Sequence, residues 1–313
     1  MAYIPCRKPY FIEQNTTDLQ VRTKTYAVID PGWQHTIQKG SYSGSAEDLK
    51  VDVSPFIRPY FYLEPQATPS NIGGVPAGQF PNVVLEVNTV EESHRAVYGY
   101  VEPVDASYWD HWQVTKSIAS NTDSYITLPP GIYTVNWATS DGQVASETTI
   151  SLSTPNVVRV AHTGLDLTTA NTLTISANGY DYKYNINCPY QDGTIGFINA
   201  IGQWEYFDVL GRQDYTQNRE ADDYIPFSVG ETRMFNVTGS RGLRVSTGWV
   251  DQEWGRRILP ELMVSPRIVW HKGTSWDELI LDTNTQREQR VRTDKMMNYT
   301  FAFTYAAPVI SIV

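Results

Sequence analysis

Gly193-Thr-Ile-Gly-Phe-Ile-Asn-Ala-Ile-Gly-Gln-Trp-Glu-Tyr-Phe-Asp-Val-Leu-Gly211 sets two short apolar and aromatic runs on either side of a break at Ala200, Ile201 and Gly202. Runs of that length around a glycine-containing break predict a β-hairpin. The segment before it, from Tyr180 to Cys188, alternates strictly. Tyr180, Tyr182, Tyr184, Ile186 and Cys188 fall on one face, and Asp181, Lys183, Asn185 and Asn187 on the other. A period of two marks a strand with one buried side. Three neighbouring strands, two of them rich in aromatics, are therefore the expected nucleus of a sheet. Their side chains suit packing, not reaction chemistry.

Composition agrees with that reading. The chain has 313 residues, enough for two domains, and only 19% are charged, while Tyr (20) and Trp (9) are plentiful. Such a mix fits pleated, half-buried surfaces better than helices. Lys and Arg number 24 against 34 Asp and Glu, a net charge of −10. An acidic chain whose longest basic run is Arg256-Arg257 is a poor grip for a nucleic-acid backbone, so no nucleic-acid partner is expected. Cys6 and Cys188 are too few for a disulfide framework, and Cys188 reads as a small buried thiol. The N-terminal residues lack an apolar stretch of signal-peptide length, and no run is long enough to span a bilayer. Folding in a cytoplasm and no membrane partner are the corresponding expectations.

Short strands separated by turn signals continue through the chain. Leu19 to Ile29 reads as a strand ended by Asp30-Pro-Gly32, with a return over Trp33 to Gln38. Ser41 to Lys50 reads as a loop. Ser54 before Pro55 reads as the cap of a helical turn stopped by Pro59. Leu63 to Pro81, broken by prolines and glycines, reads as an extended loop that reaches another chain or as a mobile tip. Strands follow at 82–88, 96–101, 125–128 and 132–138. Asp141-Gly142 is a hairpin turn with a return over 143–152, and further strands cover 157–160 and 173–177. Arg212 to Phe227, polar and charged, reads as a loop or arm. Met234 to Val237 and Leu243 to Thr247 read as two strands around Gly239 to Gly242. Asp251 to Val264 is the one sustained helix, with Asp251 as N-cap and Trp254, Ile258, Leu259, Leu262 and Met263 on one face; Pro260 predicts a kink or a break. Strands at 267–270, 279–281 and 297–305 close the chain.

The fold class is thus mostly β: two or more β-sandwich modules, Ig-like or jelly-roll-like, with one short kinked helix near the C-terminus. The expected domains are an N-terminal sandwich region over 1–165, with a small β module inserted at about 118–165, and a C-terminal one over 166–313.

No catalytic, cofactor-binding or metal constellation emerges. The histidines His35, His94, His111, His162 and His271 have no metal-ligand spacing. No phosphate-cradling loop and no Gly-x-Ser-x-Gly elbow occur. Asp110-His111 and Asp222-Asp223 are acid–base candidates by residue type, but nothing orients them, and the expected state of their carboxylates is solvated. The aromatic cluster Tyr108, Trp109 and Trp112 is the candidate for contact with a glycan or protein partner, against the plainer reading that it plugs the edge of a core.

The run Gly193 to Trp204 resembles the F-x-N-x-x-G hairpin of a family of virion structural proteins, usually labelled tail proteins, of tailed phages that infect Bacteroidetes bacteria. The likeness continues through Ser246 to Trp254, Leu259 to Pro266 and Val269-Trp270, and through Asp294 to Ala306, similar to that family's closing strand. It covers about residues 180–313, and the first half only loosely, at Pro9-Tyr10-Phe11 and Pro55 to Tyr60. The resemblance implies a non-enzymatic virion component of a tail, neck or baseplate, working as a repeated subunit and needing no cofactor. Its partners would be other virion proteins and copies of itself, and its place the particle assembled in the host cytoplasm. Met1 to Thr17 and Leu63 to Pro81 are the segments expected to cross subunit boundaries. Two other roles compete: a receptor- or glycan-binding fibre subunit that meets a host surface glycan through Tyr108, Trp109 and Trp112, and, more distantly, a polysaccharide hydrolase.

Overall fold

The computed structural model describes residues 2–25, 35–60, 82–99, 115–119, 124–128, 131–144, 148–152, 156–160, 168–177, 180–187, 193–224, 233–272, 275–282, 287–290, 296–306 and 310–312. The chain is mostly β, as its composition predicts, in sandwich-like modules of several largely antiparallel sheets.

The first module contains β1 (Ala2–Pro5), β2 (Phe11–Thr16), β3 (Asp18–Thr25), β4 (His35–Gly40), β5 (Glu47–Asp52), α1 (Ser54–Ile57), β6 (Asn82–Val87) and β7 (Val90–Val97). Five strands form a sheet in the order β1-β7-β6-β3-β4, and β2 pairs with β5 as a separate ribbon. Ile4, Leu19, Val21, Leu49, Val51, Ile57, Val83 and Leu85 form one buried core between them. The N-terminal segment therefore does not reach outward. β1 runs parallel to β7 and β2 antiparallel to β5, because Ile4 and Ile12 gain burial against the chain's own core. The expected loop over 41–50 ends at Ser45 or so, and Glu47 already pairs with Thr16. Ser54 lies inside the helical turn, with Val53 at the N-cap position. The capping carboxylate is Asp52, whose Oδ1 accepts from the amides of Ser54 and Tyr10, both at 3.0 Å.

The middle module contains β8 (Lys116–Ala119), β9 (Ser124–Leu128), β10 (Gly131–Thr139), β11 (Thr148–Leu152), β12 (Asn156–Val160), β13 (Thr172–Ala177) and β14 (Tyr180–Asn187). The sheet order is β11-β10-β13-β14-β8, and β12 pairs with β9. The Asp141-Gly142 turn forms as its residues dictate, with Gly142 at φ +89°. Position 165 falls between strands that share this sheet's connections, since β10 on one side pairs with β13 on the other. β14 has Tyr182 and Tyr184 buried as its alternation predicts. Its partners are β13 and β8, however, so it does not extend the sheet of the hairpin that follows it. Alternation specifies which face is buried; it carries no information on which edge is paired.

The third module contains β15 (Thr194–Ile198), β16 (Trp204–Asp208), β17 (Gln213–Tyr224), β18 (Arg233–Asp251), α2 (Gln252–Met263), β19 (Ile268–Lys272), β20 (Ser275–Leu281), β21 (Arg287–Arg290), β22 (Met296–Tyr305) and β23 (Ile310–Ile312). All nine strands share one sheet, with the path β16-β15-β19-β20-β22-β18-β17, β21 pairing β22 and β23 pairing β18. The sheet curls: Lys272 on β19 donates to the Tyr215 hydroxyl on β17 at 3.2 Å, although three strands separate them along the path. Inside the curl, Trp254, Ile258, Leu259 and Leu262 of α2 pack on Phe197, Phe207, Tyr299 and Phe301. A Cβ on Gly255 would lie 2.3 Å from the Tyr299 hydroxyl, so the absence of a side chain lets the helix settle directly on β22.

Two expectations fail here for physical reasons. The polar stretch after Arg212 is the twelve-residue strand β17, not a loop; an edge strand with solvent beside it shows no apolar period. Met234 to Thr247 is one unbroken part of the nineteen-residue β18, because its glycines continue the extended chain instead of turning it. Of the kink or break expected at Pro260, the break does not occur: Gln252–Met263 is one helix, with Pro260 exposed near its end while Leu259 and Leu262 hold that turn on the core. Asp251 caps it as expected, its carboxylate accepting from the amides of Glu253 (2.7 Å) and Trp254 (3.4 Å).

Candidate functional site

The residues that do most in this chain lie at the tip of the β15–β16 hairpin. Asn199 opens the turn: its Oδ1 accepts from the amides of Gln203 at 2.8 Å and Ile201 at 3.2 Å. Gly202 closes it at φ +81°, in the left-handed region open to glycine, and its amide donates to the Asn199 carbonyl at 3.1 Å. The asparagine and glycine of the hairpin motif thus build the turn itself. Hairpin tips are ordinarily wet, yet Ala200, Ile201 and Gln203 are fully buried here.

Three other segments cover the tip. From α2 and the turn after it, Glu261 accepts from the Ala200 amide at 2.7 Å, and the Ser265 hydroxyl accepts from the Ile198 amide at 2.9 Å. From the first module, the backbone at Tyr98 and Gly99 lies directly on the turn. A Cβ on Gly99 would meet the Ala200 carbonyl at 2.2 Å, and one on Gly202 would meet the Tyr98 backbone at 2.5 Å. Arg7, just past β1, completes the closure. Its amide donates to the Gly99 carbonyl at 2.8 Å, and its guanidinium donates to the Asn199 carbonyl at 3.4 Å and to the carbonyl of Val264, at the C-terminus of α2. A cation there also meets the negative end of the helix dipole. Beneath, Ile198, Trp204, Tyr206 and Val269 form a small core that Tyr98 and Trp276 flank.

The middle module is held to the same hairpin by a buried ion pair. Lys116 on β8 donates to Glu205 on β16, with side-chain exposures of 6% and 3%. Burial, and then the neighbouring Glu205 charge, push the Tyr184 hydroxyl well above its ordinary range. A buried pair of this kind specifies register: any other placement strands one charge without its counter-charge.

At the opposite edge of the sheet lies the β17–β18 ribbon, whose β18 also carries Leu243, Val245 and Val250 into the core. β22 covers β18 from Gly242 to Asp251, β23 covers it from Val237 to Gly239, and β17 pairs along it from Gln213 to Tyr224 with a register shift at Glu220/Asp222. Among the described residues no strand pairs with the outer edge of β17 or with that of β21. Tyr215 is 45% exposed and Thr216, Gln217 and Asn218 are exposed.

Tyr108, Trp109 and Trp112 lie outside the described residues, as do His111, His162, Asp110, Cys188 and the loop at 63–81. Asp222 and Asp223 are strand residues opposite Phe235 and Met234. Among the described residues no three His, Cys, Asp or Glu side chains stand close enough to hold a metal ion. Cys6 is a free, buried thiol; burial raises its pKa from 9.0 to about 12, against the opposing pull of Arg58. His94 is buried and, among the described residues, neither ring nitrogen has a hydrogen-bond partner, although a Glu92 carboxylate oxygen stands 3.3 Å from Nε2. His271 stacks on Trp276 with ring centres 4.2 Å apart, and burial lowers its pKa while Asp208 opposes the shift. The Arg7 clamp, the burial of the hairpin tip and the β17 edge were not legible in the sequence. Only the Gly-rich spacing of the hairpin hinted at close backbone contact. Compared with known proteins, the chain matches no family model, and no curated protein matches it.

Proposed function

We propose that this chain is a non-enzymatic structural subunit of a virion, repeated within the tail, neck or baseplate of a tailed phage. One observation carries the reading: the polar and charged groups singled out here join modules to each other, as Arg7 and the Lys116–Glu205 pair do, instead of converging on a cleft. The hairpin whose sequence resembles virion tail proteins is the element on which both other modules rest. A subunit of a mechanical assembly needs such locked modules and needs spare sheet edges for its neighbours. The partners are accordingly other virion proteins and copies of the chain, and the location is the particle.

Mass spectrometry of purified phage particles tests this. The chain is expected among the particle proteins at a stoichiometry of several copies. Its absence from intact, infectious particles would overturn the reading.

A further inference from the structure

We propose that copies of this chain pair head to tail, the outer edge of β17 in one copy taking β21 of the next as an added strand. The inference rests on the reading of the chain as a repeated subunit. It starts from two edges of one sheet that, among the described residues, no further strand pairs with. An unpaired edge presents a row of amide and carbonyl groups, a template for another strand unless charge, brevity or a bulge blocks it. β17 is twelve residues long and carries Asp214, Glu220, Asp222 and Asp223 against one cation, Arg219, with a register shift in its middle. Two β17 edges facing each other would set acids against acids, which excludes the symmetric pairing. The same charges favour a basic strand. Among the described edge strands, β21 is the one with two arginines, Arg287 and Arg290, against a single acid, Glu288.

β21 lies on the other side of β22 from β18, and so on a different edge of the sheet from β17. Joining two different edges is heterologous, so each copy keeps one edge free for the next, and the contact propagates into a ring or a filament. Charge protection and charge selection are then the same feature: β17 rejects its own kind and accepts β21.

The test is sedimentation of the full chain over a range of concentrations and salt. Wild type is expected to form oligomers beyond the dimer, weakened by added salt as charge pairing is screened. Asp222→Lys with Asp223→Lys, and separately Arg287→Glu with Arg290→Glu, should each weaken assembly by on the order of tenfold or more. Mixing the two variants should restore assemblies in which they alternate, since each copy then meets the other through one native and one charge-reversed contact. Combining all four substitutions should restore long assemblies, which also shows that the variants fold. A wild type that stays monomeric, a pair of substitutions without effect, or a fourfold variant that remains monomeric would each overturn the pairing. A chain found in particles but monomeric when pure overturns this inference alone; a chain that pairs as described but is absent from particles overturns only the virion role.

Discussion

Two hairpins of one sheet meet opposite fates. β15–β16 is short, aromatic and buried to its tip; β17–β18 is long, and among the described residues no strand pairs with the outer side of its polar strand β17. Both rest on the same ladder of backbone hydrogen bonds, so the ladder does not distinguish them. What does is the neighbour each one has. The tip of β15–β16 is covered by Gly99, Arg7 and Glu261, three contacts from residues far away in the chain, whereas among the described residues β18 is the only strand paired with β17. Residues at the first hairpin should therefore be intolerant of change, and those at the second tolerant in stability but not in assembly.

The largest effect is expected at the ion pair. Lys116→Met leaves Glu205 buried without its cation and should cost about 3–5 kcal/mol, read as a lowered denaturant midpoint. Lys116→Met with Glu205→Leu should recover most of that loss; if the double substitution is as unstable as the single one, the pair does more than satisfy itself. Next comes the contrast between two glycines. Gly202→Val adds backbone strain and drives a side chain into Tyr98, for about 2–5 kcal/mol in all. Gly239→Ala on the ribbon, where the nearest atom to an added Cβ is 3.9 Å away, should stay within about 0.5 kcal/mol. Equal losses at the two positions would break the comparison.

A smaller effect is expected with pH, beside the Arg7 clamp. The Cys6 thiol has a pKa of about 12 in the folded chain against 9.0 when exposed. A raised folded-state value means that its contribution is complete below about pH 9 and is lost as pH rises towards about 12. Thermal midpoints should fall across that window, and Cys6→Ala should fall less. The smallest effect belongs to the ribbon: the exposed Arg212–Asp214 pair, at 2.7 Å, should change stability by about 0–1 kcal/mol when Arg212 becomes Ala.

Much of the secondary structure was legible. The closing strand β22 buries Met297, Tyr299, Phe301, Phe303 and Tyr305, as its alternation predicts, and Asp251 caps α2. β17 was not legible, because its sequence, Gln213 to Tyr224, is polar and charged and carries no apolar period. Nor was the sheet to which β14 belongs. The clamp could not be read at all: Arg7 is one arginine in a polar tail, and its acceptors are backbone carbonyls, which have no sequence signature.

By itself the sequence determined which segments are strands with a dry side, where the glycine and asparagine of the central turn must go, and that an acidic, aromatic-rich chain builds sheets. These follow from local rules of pleat, cap and turn that act over a few residues. Only the tertiary structure decided which edges pair, that the turn at Gly202 is buried beneath Gly99, and that among the described residues β18 is the only strand paired with β17. Those outcomes depend on backbone meeting backbone across long stretches of chain, where every residue offers the same amide and carbonyl and side-chain identity says little.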